Sequence, residues 1–110
     1  TEGALLAKMA DRGQLGNVVV DGPLSLDVAL YKEVAEHKKV KGSAVAGDPD
    51  CLLFPNIESA NVFFKAATHF GGAELAAMVM GTKVPCVLTS RGDSRLTKMY
   101  SIALACLAAR

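Results

Sequence analysis

The arrangement that most constrains the fold is a unit that occurs three times: a short apolar run, a polar turn and a helical pattern. The apolar runs are Val18-Val19-Val20, Cys51-Leu52-Leu53-Phe54 and Cys86-Val87-Leu88-Thr89. Continuous apolar strands that alternate with amphipathic helices are typical of a parallel sheet with both faces covered. The sequence therefore predicts an α/β layered fold with a mainly parallel sheet.

The spacing of apolar residues predicts four helices. One covers about residues 2–11, and a second begins near Ser25, a candidate N-cap, and ends at the basic residues 37–39. A third covers about residues 57–70 before Gly71-Gly72, and a fourth runs to the C-terminus. The apolar stripe of the fourth helix is predicted to be Leu96, Met99, Tyr100, Ala103 and Leu107. Its last turns, residues 102–109, are apolar nearly all round, which predicts burial on several sides.

The composition argues against several classes of function. Twelve basic and eleven acidic side chains in 110 residues leave a formal charge of +1, which does not favour a nucleic-acid groove or a polybasic membrane patch. No apolar run approaches the roughly 20 residues that span a bilayer. Cys51, Cys86 and Cys106 lie in apolar runs without metal-ligand spacing, so we expect small buried hydrophobes, no metal and a reducing, cytoplasmic location.

The polar turns that follow the three predicted strands are the candidate site. The carboxyl ends of parallel strands meet at one edge of a sheet, and ligands of such sheets bind there. The N-terminus of a helix carries free N–H groups and a partial positive charge. We therefore expect the turns near Asp21, Asn56 and Arg91 to gather at one edge and to bind an anion.

The turn from Ser90 to Ser94 has the most varied chemistry. Arg91 offers a planar charged fork that suits phosphate or carboxylate, and Ser90 can donate or accept a hydrogen bond. Asp93 could cap the helix or act as a base. The alternative is that Asp93 or Ser94 is only an N-cap and Arg91 a solvated loop charge, and spacing alone favours this alternative.

The other polar candidates also have two interpretations. Asp21 could bind a ligand or accept a hydrogen bond within an Asx-turn ahead of Gly22 and Pro23. A set of helix residues, spaced at i, i+3, i+7 and i+11, forms one polar stripe: Glu58, Asn61, Lys65 and His69. A solvated outer face is the ordinary explanation of such a stripe.

Several blocks of the sequence resemble the phosphate acetyl/butyryl transferase family. They are residues 21–27 (DGPLSLD), 45–48 (VAGD), 54–61 (FPNIESAN) leading to Lys65, 88–94 (LTSRGDS) and 100–105 (YSIALA). The Thr-Ser-Arg turn and the Val-Ala-Gly-Asp block look more like the butyryl branch. The resemblance covers essentially the whole chain, but only about the C-terminal third of a family member.

The resemblance implies a reversible reaction in which acyl-CoA and phosphate give acyl phosphate and CoA. It also implies a two-domain α/β/α sandwich like that of isocitrate and isopropylmalate dehydrogenases, with the site in the interdomain cleft. Residues from about 84 to 110 would return to the first domain, which the N-terminal portion of the enzyme forms. CoA and phosphate would be substrates, no further cofactor would be needed, and we expect a homo-oligomer.

The resemblance also implies roles for particular residues. Ser90 and Arg91 match the family's Ser-Arg pair, so Arg91 would hold phosphate or the thioester oxygen and Ser90 would hydrogen-bond near the thioester. Acetyl-preferring relatives carry an Asp base near the position of Thr97, and its absence here leaves Asp93 as the nearest candidate base. The predicted substrate-binding residues are Asp21, Gly22, Pro23, Asn56, Glu58, Asn61 and Lys65.

Two other functions remain open on the sequence. The same fold occurs as a non-catalytic acyl-CoA-sensing domain in some malic enzymes, and the missing Asp near Thr97 favours that interpretation. The third interpretation is a fragment that only oligomerises, for which the apolar surface of residues 102–109 argues.

Overall fold

The computed structural model describes residues 2–109, and that part of the chain contains five helices. They are α1 (Glu2–Asp11), α2 (Leu26–Leu30), α3 (Lys32–His37), α4 (Ile57–His69) and α5 (Arg95–Ala108). The chain divides into two compact units, one up to Ala60 and one from Asn61, so that the division falls within α4. The predicted helices near residues 2–11 and 57–70 and the C-terminal helix are confirmed.

The three apolar runs predicted to be strands do not form a sheet within residues 2–109. The β-pairing of this part is one antiparallel bridge, in which the Val79 N–H donates to the Cys86 carbonyl at 2.9 Å. A strand exists only where a neighbouring strand satisfies its backbone groups, and the other two runs lie in no strand in the described part of the chain. Val19 and Leu53 are accordingly 72% and 80% exposed.

The prediction that the cysteines are buried is wrong for Cys51 and Cys106, and Cys86 is half-buried. Cys51 lies in an apolar run without a strand partner, and Cys106 lies on the exposed side of α5. All three are free thiols. Apolar neighbours in the sequence therefore do not imply burial when the packing surface is missing.

The helix predicted from Ser25 to residue 39 is two helices, because the backbone leaves the helical conformation at Tyr31 (φ −121°, ψ 113°). Val28, Ala29 and Ala35 are buried on these two helices. The loop at residues 45–48 packs against them, with the Gly47 N–H donating to the Ala29 carbonyl at 2.9 Å. Helix is present on each side of Tyr31, as predicted, but the spacing of apolar residues did not show the break.

An ion pair joins α2 to the end of α3. The Lys38 ammonium donates to Asp27 Oδ2 at 2.7 Å. This hydrogen bond, with a second from the Ser25 hydroxyl, lowers the pKa of Asp27 from 3.8 to about 2. Ser25 occupies the predicted N-cap position, but its hydroxyl donates a hydrogen bond to the Asp27 carboxylate and makes no capping bond to the helix.

The buried side of α5 is not the predicted apolar stripe. Ser101 and Ala105 are the buried residues of this helix, whereas Leu96, Met99 and Leu107 are more than half exposed. Ser101 contacts the segment before the α5 turn, since the Ala77 N–H donates to the Ser101 hydroxyl oxygen at 3.0 Å. The predicted burial of residues 102–109 on several sides is also wrong, since within residues 61–109 the bulky side chains face outward.

Candidate functional site

The Ser90–Asp93 turn is a closed hydrogen-bonded loop. The Ser90 N–H donates to Asp93 Oδ2 at 2.7 Å, and the Asp93 N–H donates to the Ser90 carbonyl at 3.1 Å. Arg91 and Gly92 form its exposed tip, and a β-carbon placed on Gly92 would meet no atom within 4 Å. The carboxylate thus fixes the turn from inside and leaves the tip open to a ligand.

The helix that follows has its own cap. The Thr97 N–H donates to the Ser94 hydroxyl oxygen at 3.1 Å, and the two hydroxyl oxygens of Ser94 and Thr97 are also 3.1 Å apart. Ser94 is therefore the N-cap of α5, which leaves the Asp93 side chain outside the capping interaction. Of the two interpretations that the sequence allowed for the cap, the structure selects Ser94.

Lys65 of α4 contacts this turn. Its Nζ atom lies 3.8 Å from Asp93 Oδ1 and 4.0 Å from the ring centroid of Phe64. The Asp93 side chain is 10% exposed and the Lys65 side chain 41% exposed, so the carboxylate is the more enclosed partner. The sequence singled out both residues but not their pairing, because no periodicity relates residues of two different elements.

Arg91 is exposed, and its guanidinium makes no hydrogen bond or ion pair to other residues of the range 61–109. It stands four residues before α5, at the end of the helix that carries the partial positive charge. A free guanidinium is suited to phosphate or carboxylate.

The polar stripe of α4 lies on its exposed side. Asn61, Lys65 and His69 line a shallow depression whose other walls are Val62, Ala66 and Phe70. Glu58 is exposed in the first turn of the helix. Of this stripe, Lys65 is the member that the structure brings to the Ser90–Asp93 turn.

The predicted site residues of the first unit have local partners. The Gly22 N–H donates to Asp21 Oδ1 at 2.8 Å, as an Asx-type turn requires, and the Gly22–Pro23 segment packs on Gly3 of α1. Asn56 Oδ1 accepts from the Ser59 N–H at 2.8 Å and so caps α4. These contacts explain the residues as turn and cap without a ligand.

Residues 2–109 hold no group of three or more His, Cys, Asp or Glu side chains placed to share a metal ion. In the same range no helix combines the length and the apolar character that a membrane crossing needs.

The chain is similar to known proteins in sequence and in structure. The profile of the phosphate acetyl/butaryl transferase family matches residues 4–106. Phosphate butyryltransferase of Clostridium beijerinckii is 54% identical over 98% of the chain, and phosphate acetyltransferase of Thermotoga maritima is 48% identical over 94%. The crystal structure of a branched-chain phosphotransacylase from Enterococcus faecalis V583 matches 94% of the chain at a TM-score of 0.78 and 40% identity, over 39% of its own length.

The chain spans about 35% of the length of these two enzymes. The family profile nevertheless covers nearly all of its residues, including the Ser90–Ser94 turn and α4. The chain belongs to the phosphate acetyl/butyryl transferase family.

Proposed function

We propose that this chain is the C-terminal portion of a phosphate acyltransferase, which converts acyl-CoA and phosphate into acyl phosphate and CoA. The observation that supports the proposal most directly is Arg91, an unpaired guanidinium at the open tip of a turn that Asp93 closes. Membership of the family and the likeness to a solved phosphotransacylase support it as well.

The reaction needs two kinds of assistance that this turn can give. An oxygen of phosphate attacks the thioester carbonyl carbon, a C–O bond forms, the C–S bond breaks and CoA leaves as a thiolate that takes up a proton. Arg91 would hold the attacking phosphate by paired N–H···O bonds. The Ser90 hydroxyl would donate to the thioester oxygen as charge develops on it.

The remaining proposed contacts to substrate come from three places. Asn61 would contact CoA along the exposed side of α4, where apolar side chains form the other walls of the depression. Lys65, the other predicted substrate-binding residue of that stripe, has its ammonium at the Asp93 carboxylate and would act through Asp93. Asp21, Gly22 and Pro23 would contribute from their turn. Asn56 and Glu58 would contribute from the start of α4, in addition to the local bonds described above.

We also propose that the rest of a family member completes the α/β/α sandwich. In the apolar runs at residues 18–20 and 51–54, the side chains of Val18, Val19 and Leu53 are more than half exposed, which supports a further packing surface in the rest of a family member. The exposed side chains of α5, such as Ile102 and Leu107, support a packing of residues from about 84 to 110 on the first domain. The homo-oligomer and the cytoplasmic location stay predictions.

The acyl group is proposed to be butyryl or a similar short chain. The sequence identity to the butyryltransferase of Clostridium beijerinckii is 54%, and the identity to the acetyltransferase of Thermotoga maritima is 48%. The acyl-CoA-sensing alternative has one structural point in its favour. Thr97, near the position of the acetyl branch's base, uses its N–H and hydroxyl in the α5 cap.

The test is thiol release from a series of acyl-CoA esters, measured on the full-length protein with and without phosphate. An enzyme releases CoA only when phosphate is present, and we expect the fastest turnover with butyryl-CoA. A sensor binds the esters but releases no CoA, which would overturn the proposal.

The Arg91→Ala variant tests the role of the guanidinium. It should reduce the rate of CoA release by a factor of roughly 100 or more, as expected for loss of a transition-state contact. Arg12→Ala, which changes an exposed arginine after α1, is the control.

A further inference from the structure

We infer that Lys65 and Asp93 are positioning residues that hold the Ser90-Arg91 backbone in place, an inference that rests on the proposed function. The supporting observation is the contact between Lys65, which lies in α4, and Asp93, which lies in the turn before α5. Neither residue needs to touch the reacting atoms for this role.

The two carboxylate oxygens of Asp93 have separate partners. Oδ2 accepts the Ser90 N–H at 2.7 Å, and Oδ1 lies 3.8 Å from the Lys65 ammonium. A hydrogen bond from a backbone N–H to a charged acceptor is stronger than one to a neutral acceptor. The ammonium and the Ser90 N–H therefore hold the same carboxylate from two sides, and the carboxylate sets the direction of the Ser90 backbone.

This arrangement differs from the one that a general base requires. A base must present an oxygen to the proton that it removes, but Oδ2 is turned into the loop and the side chain is 10% exposed. Because Arg91 directly follows Ser90, a shift of the Ser90 amide also moves the guanidinium that would hold phosphate. The pair thus accounts for the enclosed position of Asp93, which the interpretation as a base does not.

The flexible Lys65 side chain is limited by a second contact. Its Nζ atom stands 4.0 Å from the ring centroid of Phe64, within the range of a cation–π interaction. The ring and the carboxylate together restrict the ammonium to the side of the helix that faces the turn. Since the Lys65 side chain is 41% exposed, a neutral residue there leaves no buried hole.

The experiment is a double-mutant cycle on the full-length enzyme, with Lys65→Met, Asp93→Asn and the double variant. Asparagine keeps an acceptor for the Ser90 N–H but loses the charge that Lys65 faces. We expect each single variant to lower kcat by on the order of 10-fold, as small misplacements of reacting groups do. The double variant should lose no more than Asp93→Asn alone, because the two residues act as one unit.

Three further measurements separate positioning from direct contact. Lys65→Arg should restore most of kcat, the KM for phosphate and acyl-CoA should stay within about twofold of wild type, and circular dichroism should show an unchanged helix content. Lys8→Met, which removes the exposed partner of Asp11 in α1, is the matched control and should keep full activity.

Two results would overturn the inference. One is a kcat of Lys65→Met equal to that of the wild type. The other is a loss of kcat in the double variant that equals the product of the two single losses, together with a raised KM for acyl-CoA. That result would make Lys65 a direct substrate contact. Failure of the proposed function is distinct, because the wild-type enzyme would then show no phosphate-dependent release of CoA.

Discussion

Gly47 lies so close to Lys32 that a β-carbon added to Gly47 would stand 2.5 Å from the Lys32 Cα atom. Gly47 also has a φ of +86°, a conformation that residues with a β-carbon rarely adopt. The close approach brings the loop of residues 45–48 onto the start of α3, just after the break at Tyr31. The Val-Ala-Gly-Asp block therefore has a structural reason to contain glycine.

We expect Gly47→Ala to lower the free energy of unfolding by roughly 2–4 kcal/mol, the sum of backbone strain and overpacking. Gly42→Ala is the matched control, because Gly42 has a φ of +78° but no atom within 4 Å of its added β-carbon. The control should lose only the backbone part, roughly 1–2 kcal/mol. Urea unfolding measures both, and equal losses in the two variants would contradict the close approach to Lys32.

The two serines at N-cap positions should differ in their contribution to stability. Ser94 accepts a hydrogen bond from the Thr97 N–H, so Ser94→Ala should cost about 1 kcal/mol. Ser25 makes no capping bond to α2, and its hydroxyl bonds to the half-exposed Asp27 carboxylate, so Ser25→Ala should cost less than Ser94→Ala. The urea midpoints of the two variants compare these costs, and a larger loss for Ser25→Ala would refute the assignment.

The sequence was sufficient for elements that depend on local interactions. The α4 helix begins after Asn56 and ends before Gly72 because a side-chain cap and a glycine with positive φ lie within a few residues of its ends. The turn from Ser90 to Ser94 is a predicted site because arginine, glycine and two hydroxyls occur together there. These signals need no knowledge of distant residues.

The features that the sequence did not predict depend on partners far along the chain. The runs at residues 18–20 and 51–54 have strand composition, but a ladder needs a second strand, and residues 2–109 do not supply it. The buried side of α5 follows from a contact 24 residues away, between Ala77 and Ser101. The Lys65–Asp93 pair likewise joins separate elements, so neither helical nor strand periodicity reveals it.

Ser101 should therefore matter more than its place in an apolar helix suggests. Its hydroxyl donates to the Thr97 carbonyl at 2.7 Å and accepts from the Ala77 N–H at 3.0 Å, and the residue is fully buried. We expect Ser101→Ala to cost about 1 kcal/mol and to speed hydrogen exchange of the Ala77 amide. The Val79 amide, which bonds to the Cys86 carbonyl, is the internal control, and unchanged exchange at Ala77 would contradict the contact.

The ion pair between Asp27 and Lys38 predicts how stability depends on acid. The Lys38 hydrogen bond is the largest cause that lowers the pKa of Asp27 from 3.8 to about 2. A carboxyl whose pKa is lower in the folded state contributes stability above its unfolded pKa and loses it as the pH falls. The contribution of Asp27 to the free energy of unfolding should be complete above about pH 4. It should disappear as the pH falls toward the folded pKa of about 2.

Lys38→Met removes that cause, so its urea midpoint should lie below that of the wild type near neutral pH. The difference between the two midpoints should shrink as the pH falls through the window from about 4 to 2, since the Asp27 carboxyl is then protonated in both proteins. Lys8→Met is the control, because the Lys8–Asp11 pair is longer, at 3.3 Å, and more exposed. The control should show a smaller difference at every pH. A deficit of Lys38→Met that stays constant down to about pH 2 would mean that Lys38 stabilises the protein by packing and not through the Asp27 charge.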